Sequence, residues 1–176
     1  MYDSFSVIPA VDMQDGEVVQ LVGGERDTGT RYGDPVEAAE RWVDAGAEIL
    51  HLVDLDGAFE GERVNADAVE AIVEAVDVPV QLGGGIRTAA DASDLLSLGV
   101  DRVILGTAAV EDPDIVTRIS GMHADSVIVS LDAKDGEVVV DGWTEGTGLD
   151  PAEAAGRYEE LGAAGILFTD VDVEGQ

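Results

Sequence analysis

Two aspartates stand out because each closes a run of apolar or small residues: Asp12 ends Ser6 to Val11, and Asp132 ends Val127 to Leu131. A turn needs no charge there, and partial burial makes the charge costly, so these carboxylates point to chemistry. Two of them form the equipment of general acid and base catalysis. The steps that follow, Asp15-Gly16 and Asp135-Gly136, read as ordinary turns. Two glycine-rich segments offer a second kind of chemistry. Leu82-Gly83-Gly84-Gly85-Ile86-Arg87-Thr88 lies between an apolar run and a helix expected near Ala89, and Leu105-Gly106-Thr107-Ala108 repeats the geometry with a hydroxyl. Backbone N–H groups left bare at a helix N-terminus close on an anion, so both read as phosphate-binding turns.

The elements that position these residues are strands alternating with amphipathic helices, the pattern of βα units around a parallel sheet. Six apolar runs are expected as strands: Ser6 to Val11, Ile49 to Val53, Val78 to Leu82, Arg102 to Leu105, Val127 to Leu131 and Ile166 to Thr169. Asp34-Pro35, Asp112-Pro113 and Asp150-Pro151 each place an acidic cap before a proline at the first helical position, and Gly46, Gly99 and Gly162 stand where helices should stop. The segment Val7 to Val19 recurs 120 positions later as Val127 to Val139, with aspartates and glycines coinciding, and Gly46 to Asp56 recurs 116 positions later as Gly162 to Asp172. A unit of four βα repeats used twice gives a (β/α)8 TIM barrel of roughly 240 residues. On that arithmetic the chain is a single incomplete barrel domain over 1–176. It holds a first half-barrel of about 1–120, part of a second from about 121–176, and six of eight strands. Active sites of such barrels lie at the C-terminal ends of the strands, where Asp12, Asp54, Gly83, Gly106, Asp132 and Thr169 or Asp170 fall.

Composition excludes several functions. The 176 residues carry 9 Lys and Arg against 38 Asp and Glu, a net charge of −29, which repels nucleic acid and anionic lipid. With 45% apolar residues the chain folds nonetheless, and its dispersed acidity with a single lysine, Lys134, suits a halophile's concentrated cytoplasmic salt. No apolar stretch approaches membrane-spanning length, and no secretory leader is apparent, so a cytoplasmic location is expected. There is no cysteine; His51 reads as a packed strand residue and His123 as a loop residue, and neither builds a metal site. Asp170-Val171-Asp172 begins like a calcium loop but follows a strand and lacks the distal Glu. Trp143, between Gly142 and Thr144, is either hairpin packing or an aromatic lid.

Six segments in order, Ile8 to Asp12, Val53 to Ala58, Gly83 to Arg87, Leu105 to Ala109, Leu131 to Gly136 and Asp141 to Trp143, resemble the histidine-biosynthesis isomerases that act on phosphoribosylformimino-aminoimidazole carboxamide ribotide. The resemblance implies an Amadori rearrangement of an aminoaldose to an aminoketose, on a substrate with a phosphate at each end and without metal or organic cofactor. It makes Asp12 the base at C2, Asp132 the acid that assists ring opening, and Thr169 the residue assisting Asp132. Gly84, Gly85, Arg87, Gly106 and Thr107 become substrate and phosphate contacts, and Trp143 closes over the substrate. A small bisphosphate is then the partner, and the full-length protein is expected to be a monomer. Where the family commonly has a basic residue this chain has Gln20, a contact that Arg26 or Arg31 would have to supply. The family's second phosphate site lies in strands seven and eight, so little activity is expected of these residues alone. The cyclase subunit that makes imidazole glycerol phosphate is the nearest alternative; it shares Pro9 and Asp12 but usually reads Cys at Ala10 and Lys near Gln20. A non-catalytic fragment whose open sheet associates with itself or with another chain is the other.

Overall fold

The computed structural model describes residues 5–22, 25–61, 63–140 and 145–173. Packing divides the chain into two compact units, residues 1–86 with 97–101 and residues 87–96 with 102–176.

In the first unit, strand β1 (Ala10–Gln14) turns into β2 (Glu17–Val22), which pairs with β3 (Glu25–Gly33) as an antiparallel arm. Then follow α1 (Pro35–Asp44), β4 (Leu50–Asp54), α2 (Leu55–Glu60), α3 (Ala66–Ala75) and β5 (Val80–Gly83). β1, β4 and β5 run parallel, with Asp12 opposite Val53 and Leu52 opposite Leu82. Val11, Met13, Leu50, Leu52, Ala39 and Ile72 are fully buried where the sheet meets its helices. α1 starts as its sequence requires. Asp34 accepts hydrogen bonds from the N–H groups of Val36 (2.9 Å) and Glu37 (3.0 Å), Pro35 opens the helix, and Gly46 follows its end at φ 100°.

The second unit contains α4 (Ala89–Leu98) up to Leu96, β6 (Arg102–Leu105), α5 (Thr107–Glu111), α6 (Asp114–Met122), β7 (Val127–Lys134), β8 (Glu137–Val140), β9 (Glu145–Gly146), α7 (Pro151–Glu160) and β10 (Gly165–Asp170). β6, β7 and β10 are parallel, and β8 folds back on β7. Burial alternates along β7: Val127, Val129, Leu131 and Ala133 are buried, while Ile128, Ser130 and Asp132 are half-exposed. Tyr158 of α7 is buried, and its hydroxyl donates to the Ala109 carbonyl (2.9 Å), fastening α7 to α5.

The structure corrects the expected boundaries in three places. β1 begins at Ala10, not Ser6, because Pro9 has no N–H; its carbonyl accepts from His51 N–H (3.0 Å), and the ladder starts one residue on. Asp12 and Asp132 stand inside their strands, since β1 and β7 continue to Gln14 and Lys134 to pair with β2 and β8. Asp112 does not cap α6; Pro113 holds the N-cap position without a side-chain bond, and Asp112 pairs with Arg118 (2.6 Å). No helix among the described residues is long and apolar enough to cross a membrane.

The sequence repeat is a repeat of geometry. Asp15 and Asp135 both sit at φ 51°, followed by Gly16 at 79° and Gly136 at 84°, so both hairpins turn on the same left-handed pair. Met13 opposes Val18 as Ala133 opposes Val138. The N–H of Asp15 donates to Asp56 Oδ2 (2.7 Å), and that of Asp135 to Asp172 Oδ2 (2.8 Å).

Candidate active site

Asp12 lies half-buried between Val11 and Met13, both fully buried. Its carboxylate has no hydrogen-bond partner among the described residues, and burial pushes its pKa above the ordinary aspartate value. A carboxylate left partly dry and unpaired is a stronger base than one in water. Its strand partner in register is Val53. One layer below, Ala10 is opposite His51, whose Nδ1 meets the Gln81 carboxamide at 3.0 Å. Burial lowers the pKa of His51, favouring the neutral ring, so it is the satisfied strand residue its position suggests.

Asp132 occupies the matching place in the second unit, half-buried on the β7 face that carries Ile128 and Ser130. Its parallel neighbour in register is Thr169, also half-buried. Neither side chain has a hydrogen-bond partner among the described residues.

The glycine-rich turn after β5 has an internal reason for its composition. Gly84 at φ 105° and Gly85 at φ 70° are left-handed, and a Cβ at either would collide with backbone, of Asp54 for Gly84 and of Gly57 for Gly85. The α4 end is already capped: Thr88 Oγ1 accepts from Asp91 N–H and Asp91 Oδ2 from Thr88 N–H, each at 3.1 Å. Arg87 is exposed and makes no ion pair among the described residues. Gly106 differs from Gly84, because a Cβ there would meet open space, and Thr107 follows it half-buried.

Trp143 lies outside the described residues. Gln20 is exposed and accepts from the Tyr32 hydroxyl (3.3 Å). Both candidates for its missing charge are engaged. Arg26 pairs with Glu60, lies 3.7 Å from Asp56 and stacks over the Phe59 ring at 5.6 Å; Arg31 pairs with Asp15 (2.8 Å) and Glu17 (2.7 Å). Sequence reasoning missed Asn65, which is 1% exposed and joins Asp54 and Asp56, each 2% exposed. Among the described residues no group of three or more His, Cys, Asp or Glu could hold a metal ion.

A sequence profile described as "Histidine biosynthesis protein" matches residues 6–176. The chain belongs to that family. This histidine biosynthesis protein is therefore of the α/β TIM-barrel type, and its parallel strands β1, β4, β5, β6, β7 and β10 are six of the eight strands. It is 80% identical over 176 residues to a Natronomonas pharaonis protein named 1-(5-phosphoribosyl)-5-((5-phosphoribosylamino)methylideneamino)imidazole-4-carboxamide isomerase, covering all of this chain and 74% of the relative. A Haloarcula marismortui protein of the same name is 76% identical over 178 aligned positions, covering 100% of this chain and 72% of the relative. One from Methanothermococcus thermolithotrophicus is 53% identical over 171 residues, covering 96% and 72%. The net charge of −29 fits the haloarchaeal origin of the first two.

Proposed function

We propose that this histidine biosynthesis protein is the isomerase its relatives are named for, converting the bisphosphorylated aminoaldose to the aminoketose. Two half-buried aspartates with no hydrogen-bond partner among the described residues, at equivalent positions of a repeated strand and hairpin, support this reading above all. In the reaction Asp132 gives its proton to the ribose ring oxygen as the C1–O bond breaks, and the amino nitrogen's lone pair forms the C=N bond of a protonated imine. Asp12 then removes the C2 proton, and the C–H electrons become the C1=C2 bond of an enolamine while those of the C=N bond return to nitrogen. The C2 hydroxyl then loses its proton, its O–H electrons form the C2=O bond, and the C1=C2 electrons take up a proton at C1, which leaves the ketone. The raised pKa of Asp12 strengthens it as the base, and burial is its cause. Thr169, in register with Asp132, assists that residue. Gly84, Gly85, Gly106, Thr107 and Arg87 contact one phosphate, and Trp143 covers the substrate. Catalysis requires no metal or organic cofactor, and the protein works in the cytoplasm as a monomer.

The test is conversion of the ribotide, followed by absorbance in concentrated salt, by protein expressed from its complete reading frame. Asp12→Asn and Asp132→Asn should each lower the rate at least about 10²-fold, the low end for losing a general acid or base. Wild-type rates in either variant would end the assignment of that residue.

A further inference from the structure

We propose that Asn65 is a positioning residue for the isomerisation: it fixes the Met13–Gly16 end of the strand that carries Asp12. Asn65 sits where a cap of α3 belongs, yet its side chain makes no cap hydrogen bond. It reaches across the first unit instead. Its Nδ2 donates to Asp54 Oδ1 (2.6 Å) and Asp56 Oδ2 (2.9 Å) and lies 3.4 Å from the Met13 carbonyl, while its Oδ1 accepts from Gly16 N–H (2.8 Å). Asp56 Oδ2 in turn accepts from Asp15 N–H (2.7 Å). The chain leaving Asp12 is thus held at Met13, Asp15 and Gly16 by one carboxamide and the carboxylate it orients.

The chemistry favours Asn at this position. Two carboxylates, each 2% exposed, converge on one Nδ2, so removing that donor leaves buried charge facing buried charge. Asp56 would then lose the donor that orients it, and removing the whole side chain would also cost the hairpin turn its Gly16 anchor. A base must meet its C–H proton within tenths of an ångström, and a misplacement of about 1 Å costs roughly 10² in rate.

The inference rests on Asp12 being the base, and the experiment separates the two. Asn65→Asp keeps the shape and the Oδ1 acceptor but deletes the donor and sets a third carboxylate beside Asp54 and Asp56, so a loss of stability is expected whatever the role of Asn65, and kcat per folded molecule is what reads the positioning. Expected for Asn65→Asp and Asn65→Ala is a fall in kcat per folded molecule of about 10- to 100-fold with KM changed less than about threefold. Wild-type kcat in Asn65→Asp overturns the inference. A second measurement needs neither turnover nor a folded variant: in wild-type protein the Asp15 and Gly16 amide hydrogens should exchange as slowly as those inside β1. Exchange there as fast as in an open loop overturns it equally. Wild-type protein that fails to convert the ribotide refutes the function of Asp12, and the amide measurement still decides whether the Asp15–Gly16 turn is held where Asn65 and Asp56 accept its N–H groups.

Discussion

Replacing Gly84 by alanine separates two reasons for a glycine-rich turn: room for a phosphate, and close approach of backbone. Gly84 lies at φ 105°, and its Cβ would overlap the backbone of Asp54. The left-handed conformation costs an L residue about 1–2 kcal/mol, and overpacking against atoms that cannot rotate away adds about 1–3. Together these give about 2–5 kcal/mol, and for a chain of this size each kcal/mol lowers Tm by about 2–4 °C. Melting of Gly84→Ala followed by circular dichroism in concentrated salt should therefore show a drop of roughly 4–20 °C. Gly156→Ala is the control. Gly156 is exposed in α7 with open space around a Cβ, so alanine should stabilise by about 0.5–1 kcal/mol through helix propensity. If Gly84→Ala melts with the wild type and only raises KM, the packing account is wrong and the glycine serves ligand alone.

Two further outcomes follow from the same geometry. Asp12→Asn should lower turnover at least about 10²-fold yet raise Tm at neutral pH, because a half-buried carboxylate with no hydrogen-bond partner among the described residues costs the fold. Burial raises the pKa of Asp12 in the folded state, so the cost is absent below the unfolded pKa and appears as pH rises through the folded one. The Tm difference should accordingly vanish in acid and open through the carboxylate range, and a constant difference would contradict this. Asp34→Ala, which removes a two-bond cap, should cost about 1 kcal/mol in denaturant melts, whereas Asp112→Ala, which removes one exposed ion pair to Arg118, should cost well under that.

The alternation of apolar runs and capped helices made the six parallel strands legible, because Asp34-Pro35 and Asp150-Pro151 act locally and do what their types dictate. The same local rule failed at Asp112, where the carboxylate went to Arg118 and Pro113 took the N-cap position. The turn at Asp15-Gly16 and the likeness of Val7 to Val19 to Val127 to Val139 were readable, but the strand Glu17–Val22 that follows the turn was not. Nor was the full antiparallel arm, because the sequence of β3, Glu25–Gly33, lacks the alternating apolar residues that mark a strand. Asp12 and Asp132 were legible as charges where charge is costly. Asn65 gave no signal, since its partners Asp56, Asp54, Gly16 and Met13 lie 9, 11, 49 and 52 positions away and only folding brings them together.

Asp12 is opposite Val53, and Asp132 is opposite Thr169, the corresponding position in the second copy. Valine and threonine have nearly the same volume and branching, and they differ in whether one arm of the fork ends in carbon or oxygen. Within a duplicated frame, an oxygen for a methyl gives one aspartate a neighbour that can donate a proton or accept one, and leaves the other beside hydrocarbon. Two sites with the same address are thereby given unequal neighbours by an exchange of one heavy atom, and Val53→Thr or Thr169→Val would make that neighbour the same in both copies without altering the branching of either side chain.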